Sequence, residues 1–156
     1  MRLSRLVGLP VVDTHAARQA GVVSDVLIDV RAGRLAVLNV QHSDGWLVQR
    51  IPAQYVYRLG PRSVLVADTE GVDMGPPVSG SGWFPANALV GLEVLSDGGD
   101  RVGHIADADL DAQTLAVKTY LLKEAGGPWP RTLRVRAEDV VAVSPELMIV
   151  RRPVSS

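Results

Sequence analysis

The chain contains no cysteine, which excludes disulfide bridges, thiolate nucleophiles and cysteine-based zinc sites. Aromatic residues are also scarce, at 4% of 156 residues, so aliphatic side chains have to fill the core. Valine is abundant among them, and β-branched side chains favour strands over helices. The composition therefore predicts a folded protein rich in β-structure.

Long apolar runs and a charge of one sign are missing as well. No run approaches the ~20 residues that span a bilayer. The N-terminal MRLSRLVGLPVVD, broken by Gly8 and Pro10, lacks the long apolar core of a signal peptide. With 16 basic and 17 acidic residues the net charge is −1, so only a local basic patch could bind nucleic acid. We expect a soluble cytoplasmic protein that does not insert into membranes.

One stretch organises the chain because it occurs twice. Residues 21–30 (GVVSDVLIDV) are matched by residues 103–111 (GHIADADLD), so that Gly103 aligns with Gly21 and Asp107 with Asp25. The flanking apolar runs and turns recur in the same order around both copies. We interpret the four aligned residues as structural positions, with the aspartates hydrogen-bonded to loop backbone. The pattern indicates a tandem duplication of one small unit.

Each unit reads as a set of short strands joined by tight turns, without an apolar period of helical length. Residues 6–12 are predicted to form the first strand, with Pro10 at an edge. In the next strand, alternation predicts one face toward the core, made of Val22, Ser24, Val26, Ile28 and Val30. Closing each sheet would remove its exposed edges. The predicted fold is therefore all-β, with two tandem small β-barrels of five to six strands each.

The domain boundaries follow from composition. Residues 1–68 are predicted to form the first unit and residues 88–156 the second. Residues 69–87 are rich in glycine and proline and are predicted to be a linker. At its end, Trp83 and Phe84 form an aromatic pair that we expect to pack onto one or both units.

The repeated segments resemble the PRC-barrel family. The resemblance rests on LVGLPVVD (6–13), GVVSDVLIDVRAGRLAVLNV (21–40) and IPAQYVYRLGPRSVLV (51–66), and the second half repeats it in LVGLEVLSDGGDRVGHIADADLD and VRAEDVVAVSPELMIV. The family is similar to the cytoplasmic domain of the photosynthetic reaction-centre H subunit and to the C-terminal domain of the ribosome maturation factor. The resemblance implies a small β-barrel that binds other macromolecules and has no catalytic residues.

Three alternating aspartates, Asp107, Asp109 and Asp111, could in principle bind a hard cation such as Ca²⁺ or Mg²⁺. A strand row is too extended to surround an ion, however, and the glycine-turned calcium-loop pattern is absent. We therefore favour a solvated strand face with turn-capping aspartates. The histidines, His15, His42 and His104, are scattered without metalloprotease spacing, and His104 is predicted on the core-facing side of its strand. No catalytic residue, metal or cofactor is predicted.

The candidate binding surface lies in the second unit. The first unit's hairpin is replaced there by a longer Gly/Pro loop, KEAGGPWP, which is followed by RTLRVR. Trp129 is the candidate anchor, and Arg131, Arg134 and Arg136 follow it in the sequence. We select these residues because Trp and Arg often dominate the binding energy of interfaces. A solvated basic face, or a tryptophan that like Trp46 covers a barrel end, is the structural alternative.

We therefore predict a non-enzymatic adaptor or scaffold protein that acts through protein–protein contacts. The alternatives are a ribosome-assembly or RNA-processing accessory factor and an accessory subunit of a photosynthetic or other membrane complex, both implied by the resemblance alone. A homodimer is compatible with the pseudo-symmetry that the duplication creates.

Overall fold

The computed structural model describes residues 1–43, 45, 47–67 and 82–152 and consists mainly of strands. The helical elements of this part of the chain are two single-turn α-helices, α1 (Leu3–Leu6) and α2 (Ala86–Leu89), and two 3-10 turns (Ala53–Tyr55 and Ala137–Asp139). The predicted all-β class is confirmed. None of the helices described is long or apolar enough to cross a membrane.

The first sheet has seven strands in the order β4-β3-β2-β1-β6-β5, and β7 pairs with β2 outside this path. The strands are β1 (Pro10–Asp13), β2 (Arg18–Asp29), β3 (Arg34–His42), β4 (Val48–Pro52), β5 (Val56–Leu59), β6 (Val64–Val66) and β7 (Trp83–Pro85). The β1–β6 pair is parallel, and the other pairs are antiparallel.

The second sheet has six strands in the order β11-β10-β9-β8-β13-β12. The strands are β8 (Glu93–Ser96), β9 (Arg101–Leu110), β10 (Val117–Glu124), β11 (Thr132–Arg136), β12 (Val140–Val143) and β13 (Leu147–Val150). This is the strand order of the first sheet with each strand replaced by its repeat counterpart, including the one parallel pair, β8–β13. Each sheet curls like a half-barrel.

The predicted core face of β2 is only partly right. Val26, Ile28 and Val30 are buried as expected, but Val22 and Ser24 are exposed and Val23 is buried instead. The reason is a β-bulge, because the pairing of β2 with β3 shifts register between Val23 and Asp25. One extra residue in a strand exchanges the two faces beyond it.

The predicted first strand is also wrong at its start. Leu6 ends α1, and β1 begins at Pro10. Leu3 and Leu6 lie three residues apart and are both buried, which is the spacing of a helical turn with one apolar face. Pro10 is not on an edge strand. It is the first residue of a central strand and precedes the pairing with β6, so no ladder there requires its missing N–H.

The two halves exchange their leading segments. The strand β7, which leads into the second half, pairs with residues 27–29 of β2 in the first half. Conversely, α1 of the first half contacts β9 of the second half. Arg2 forms an isolated bridge with Asp109, and the Leu110 N–H donates to the Met1 carbonyl at 2.8 Å. The buried apolar cluster accordingly contains residues of both halves.

The last residues of the predicted linker form regular secondary structure as part of this exchange. Residues 69–81 lie outside the described residues, but Trp83, Phe84 and Pro85 form β7 and are followed directly by α2. Phe84 is buried opposite Ile28, and the Trp83 indole N–H donates to the Asp29 carboxylate at 3.0 Å. The aromatic pair therefore packs onto the first sheet, as expected. The division into two domains stays a prediction.

Candidate functional site

Trp129 lies in the loop that joins β10 to β11, and 86% of its side chain is exposed. At the base of this loop, the Arg131 guanidinium donates to both carboxylate oxygens of Glu124, at 2.8 and 3.2 Å. The Glu124 N–H also donates to the Arg131 carbonyl at 2.9 Å. The loop thus presents its tryptophan to solvent from an anchored base.

The ion pair at the base of the loop shifts the pKa values of both of its members. The hydrogen bond from Arg131 lowers the pKa of the Glu124 carboxyl, and the same contact raises the pKa of Arg131. Both groups are therefore charged at neutral pH. A paired arginine contributes little net positive potential to the surface around it.

Arg134 and Arg136 lie on β11, the last strand of the second sheet. Both are exposed, and they alternate with the buried Leu133 and Val135, so they share the outward face as predicted. Arg136 donates to Glu138 at 3.2 Å. Arg131 and Arg136 each have a carboxylate partner, so the surface around Trp129 is an aromatic side chain beside ion pairs.

The repeated aspartates, Asp25 and Asp107, hold the β-bulges. Each carboxylate accepts a hydrogen bond from the next backbone N–H, from Val26 at 2.7 Å and from Ala108 at 2.8 Å. Each aspartate is the residue at which the pairing with the neighbouring strand shifts register. These hydrogen bonds go to the strand's own backbone rather than to a loop.

The repeated glycines, Gly21 and Gly103, allow two strands to lie close together. A Cβ at Gly21 would overlap the backbone carbonyl oxygen of Gln41, and a Cβ at Gly103 would overlap that of Lys123. Both contacts are with backbone, which cannot rotate away. Glycine is required here by the close approach of the adjacent strand.

The aspartate row of β9 is used to hold other segments of the chain. Asp107 accepts from the Ser4 N–H at 3.0 Å and from its hydroxyl at 2.6 Å. Asp109 lies 3.1 Å from the Met1 amino group and 3.8 Å from Lys118 Nζ. Throughout the part of the chain that the structure describes, no group of three acidic or histidine side chains is arranged to hold a metal ion.

Asp111 follows β9 and caps the turn that leads to β10. Its carboxylate accepts the N–H groups of Gln113 and Thr114, both at 2.8 Å. These backbone hydrogen bonds, that from Thr114 first, lower the pKa of the Asp111 carboxyl. Asp111 thus has the turn-capping role expected for an aspartate at the end of this row.

His104 is exposed, so its predicted core-facing position is wrong. The cause is again a bulge, because the register of β9 against β10 shifts between Ile105 and Asp107. Of the other histidines, His42 contacts Gln49 through its ring, Nε2 to Oε1, at 2.9 Å, and His15 lies in the turn after β1. Trp46 lies outside the described residues, so its match to Trp129 stays a prediction.

The two sheets differ in chemistry along one row of cross-strand neighbours that point outward and occupy equivalent positions in the repeat. In the first sheet the row combines a proline and two exposed valines with one glutamine, and in the second sheet all members are polar or charged. The first row is Pro10, Val22, Gln41 and Val48, and the second is Glu93, His104, Lys123 and Thr132. The two copies therefore present different surfaces, which the repeat alone does not indicate.

A cleft between the two halves was not predicted from the sequence. Its volume is about 770 Å³, and it is lined by Arg2, Arg5 and Arg58 from the first half and by Asp107 and Asp109 from β9. A signal for it was available in the charge distribution. Residues 1–67 carry eight basic and four acidic side chains, whereas residues 68–156 carry eight basic and thirteen acidic ones. The near-zero net charge conceals this asymmetry.

The chain was compared with known protein families. The model of the PRC-barrel domain matches residues 1–73. No curated protein matches the chain.

Proposed function

We propose, from the premise that this chain carries a PRC-barrel domain at residues 1–73, that it is a non-enzymatic adaptor acting through protein–protein contacts. In this proposal the partner is a cytoplasmic protein that docks on the second sheet, around Trp129, Arg131, Arg134 and Arg136. The β7–β2 pairing and the shared apolar cluster hold that sheet against the PRC-barrel half.

The exposure of Trp129 is the observation that carries the proposal. Burial of an indole against a partner removes a large apolar area from water, and tryptophan is enriched among interface residues that dominate binding energy. The Arg131–Glu124 pair holds the loop at its base, so little ordering would be required when a partner binds. In the sheet formed by the described residues β11 is an edge strand, so a partner would also meet a strand edge beside the loop.

The carboxylates and glycines that the repeat singles out support a binding role over catalysis. Asp107 and Asp109 already accept hydrogen bonds from the first half, and Asp111 caps a turn. Gly21 and Gly103 serve strand packing. These residues thus have structural partners, while most of the Trp129 side chain is exposed to solvent.

The experiment compares the wild-type chain with Trp129→Ala by affinity purification from native cells, with and without nuclease, followed by direct titration of the recovered protein. We expect one nuclease-resistant partner whose Kd rises by about thirtyfold in Trp129→Ala, the effect of a residue that contributes ~2 kcal/mol. Tyr57→Ala is the matched control, because Tyr57 is 68% exposed on the first sheet.

Unchanged partner affinity in Trp129→Ala, with the fold intact by circular dichroism, would overturn the proposal. Loss of the partner in Val48→Ser instead would move the docking surface to the outward row of the first sheet. Recovery of ribosomal proteins that disappears with nuclease would replace the adaptor by an assembly factor. Recovery only with a membrane complex would favour the accessory-subunit alternative.

A further inference from the structure

The cleft between the two halves is a separate feature that shares no lining residue with the Trp129 loop. One wall is the α1 segment, which contributes Arg2 and Arg5, and another is the end of β5, which contributes Arg58. The base includes the buried Leu59, whose N–H donates to the Ala112 carbonyl of the second half at 2.9 Å. The cleft exists only because the two halves pack together.

The arginines that line the cleft have no carboxylate partner among the described residues. The two aspartates in the cleft are engaged elsewhere, since Asp107 accepts two hydrogen bonds from Ser4 and Asp109 contacts the Met1 amino group and Lys118. Within the described residues, the guanidinium groups of Arg2, Arg5 and Arg58 are therefore available to a ligand.

The exposed arginines of the second half behave differently. Ion pairs join Arg101 to Glu93, Arg131 to Glu124, Arg136 to Glu138, Arg151 to Asp139 and Arg152 to Asp97. The contrast follows the charge distribution, because residues 1–67 carry twice as many basic as acidic side chains. The cleft thus gathers arginines without a carboxylate partner in the part of the chain that the structure describes, in the half that has an excess of positive charge.

We infer that this cleft binds a ligand bearing a phosphate group. A guanidinium presents a planar fork of donors that matches two phosphate oxygens, and such charge-assisted bonds are the stronger kind. A single carboxylate is satisfied by one guanidinium, whereas a phosphate offers enough oxygens for arginines on two walls. Leu59, Pro61 and Ala112 supply apolar surface for the rest of the ligand.

Asp107 is a positioning residue for this site. Through its two hydrogen bonds to Ser4 it holds α1 against β9, and Arg5 lies in α1 while Arg2 directly precedes it. The volume of the cleft, about 770 Å³, lies within the range of small-molecule sites. The phosphate could belong to a small ester or to the backbone of RNA, and the two sources share the same recognition chemistry.

The test titrates the purified full chain with inorganic pyrophosphate and, separately, with a labelled single-stranded RNA oligonucleotide. We expect saturable binding of at least one probe, weakened about tenfold or more in Arg58→Gln and in Arg5→Gln, since each removes charge-assisted hydrogen bonds. Arg18→Gln is the matched control, because Arg18 is an exposed strand arginine of the same half that does not line the cleft. It should leave the affinity unchanged.

Binding of pyrophosphate without RNA would identify a small phosphate ester as the ligand class, and binding of RNA with the same variant pattern would identify its backbone. The inference is overturned if neither probe saturates. It is equally overturned if Arg18→Gln weakens binding as much as Arg58→Gln does, since that would show diffuse electrostatic attraction. The unaltered fold of each variant is checked by its thermal unfolding.

Discussion

Tyr120 provides a sharp test of how the second sheet is packed. Its side chain is completely buried in β10, and its hydroxyl has no hydrogen-bond partner among the described residues. Leu38 of β3, the repeat counterpart of Tyr120, is also completely buried and carries no polar atom. A buried hydroxyl without a partner costs roughly 1–3 kcal/mol in lost hydration. The substitution Tyr120→Phe keeps the ring and removes this cost.

We expect Tyr120→Phe to increase the free energy of unfolding by about 1–2 kcal/mol. For a protein of this size, each kcal/mol raises Tm by roughly 2–4 °C, so the shift is readily measured. Tyr120→Leu, which copies the first sheet, is the informative companion. It also removes the hydroxyl, but it leaves a cavity, so it should be less stable than Tyr120→Phe.

The stabilisation should depend on pH in a defined direction. Burial, and to a lesser degree the charge of Asp29, raise the pKa of Tyr120 well above its ordinary value. Below about pH 10, Tyr120 is neutral in both the folded and the unfolded states, so it adds no slope. Above about pH 10, the unfolded chain loses this proton while the folded chain keeps it, and stability falls by about 1.4 kcal/mol per pH unit. Tyr120→Phe lacks this loss.

Urea denaturation at pH 8 and at higher pH values measures both effects. The difference between Tyr120→Phe and the wild type should widen above pH 10. A variant that is less stable than the wild type at pH 8 would show that the hydroxyl has a stabilising partner. A constant difference across the pH range would show that Tyr120 ionises equally well in the folded state. Either result would refute the argument.

Three further predictions concern the contacts between strands and between halves, and all are measured by urea denaturation. Gly21→Ala and Gly103→Ala should each destabilise the protein by about 3 kcal/mol or more, because the added methyl group overlaps backbone. Gly99→Ala is the control, because the methyl group there meets open space. It should cost only the roughly 1–2 kcal/mol of a left-handed backbone conformation. Phe84→Ala should cost about 3–5 kcal/mol, since β7 packs this ring into the shared core, and a loss below 1 kcal/mol would contradict that packing. Asp107→Ala should cost about 1–3 kcal/mol by leaving the α1 segment unanchored, and an effect equal to that of the exposed Asp100→Ala would argue against an anchor.

The repeat was readable from the sequence because it is carried by local signals. The glycine at the start of each long strand, the aspartate four residues later and the apolar runs around them predict two similar sheets. The structure has two sheets with the same strand order. The face of each strand was less predictable, because Val23 and His104 exchange sides at bulges. The position of a bulge depends on the register with the neighbouring strand, so it cannot be predicted from the alternation of apolar residues along one strand.

The candidate site divides in the same way. The sequence indicated Trp129 as the candidate anchor of a binding surface, and its side chain is exposed. The partners of the nearby arginines were not predictable, because Glu124 is seven residues from Arg131 and meets it only across the β10–β11 pair. The charge excess of the first half could have been counted from the sequence. Its concentration in a cleft could not.

The sequence by itself determined the composition of the core, the duplication and the succession of most short strands along the chain, because short-range alternation and turn residues encode these features. Only the tertiary structure decided that the halves exchange their leading segments. Residues 83–85 form a strand because β2 offers an unpaired edge there, and the α1 segment is held by Asp107, more than a hundred residues away. Such contacts join segments that are far apart in the chain. The energy of these contacts depends on how the two folded sheets are placed relative to each other, and a local sequence pattern does not predict that placement.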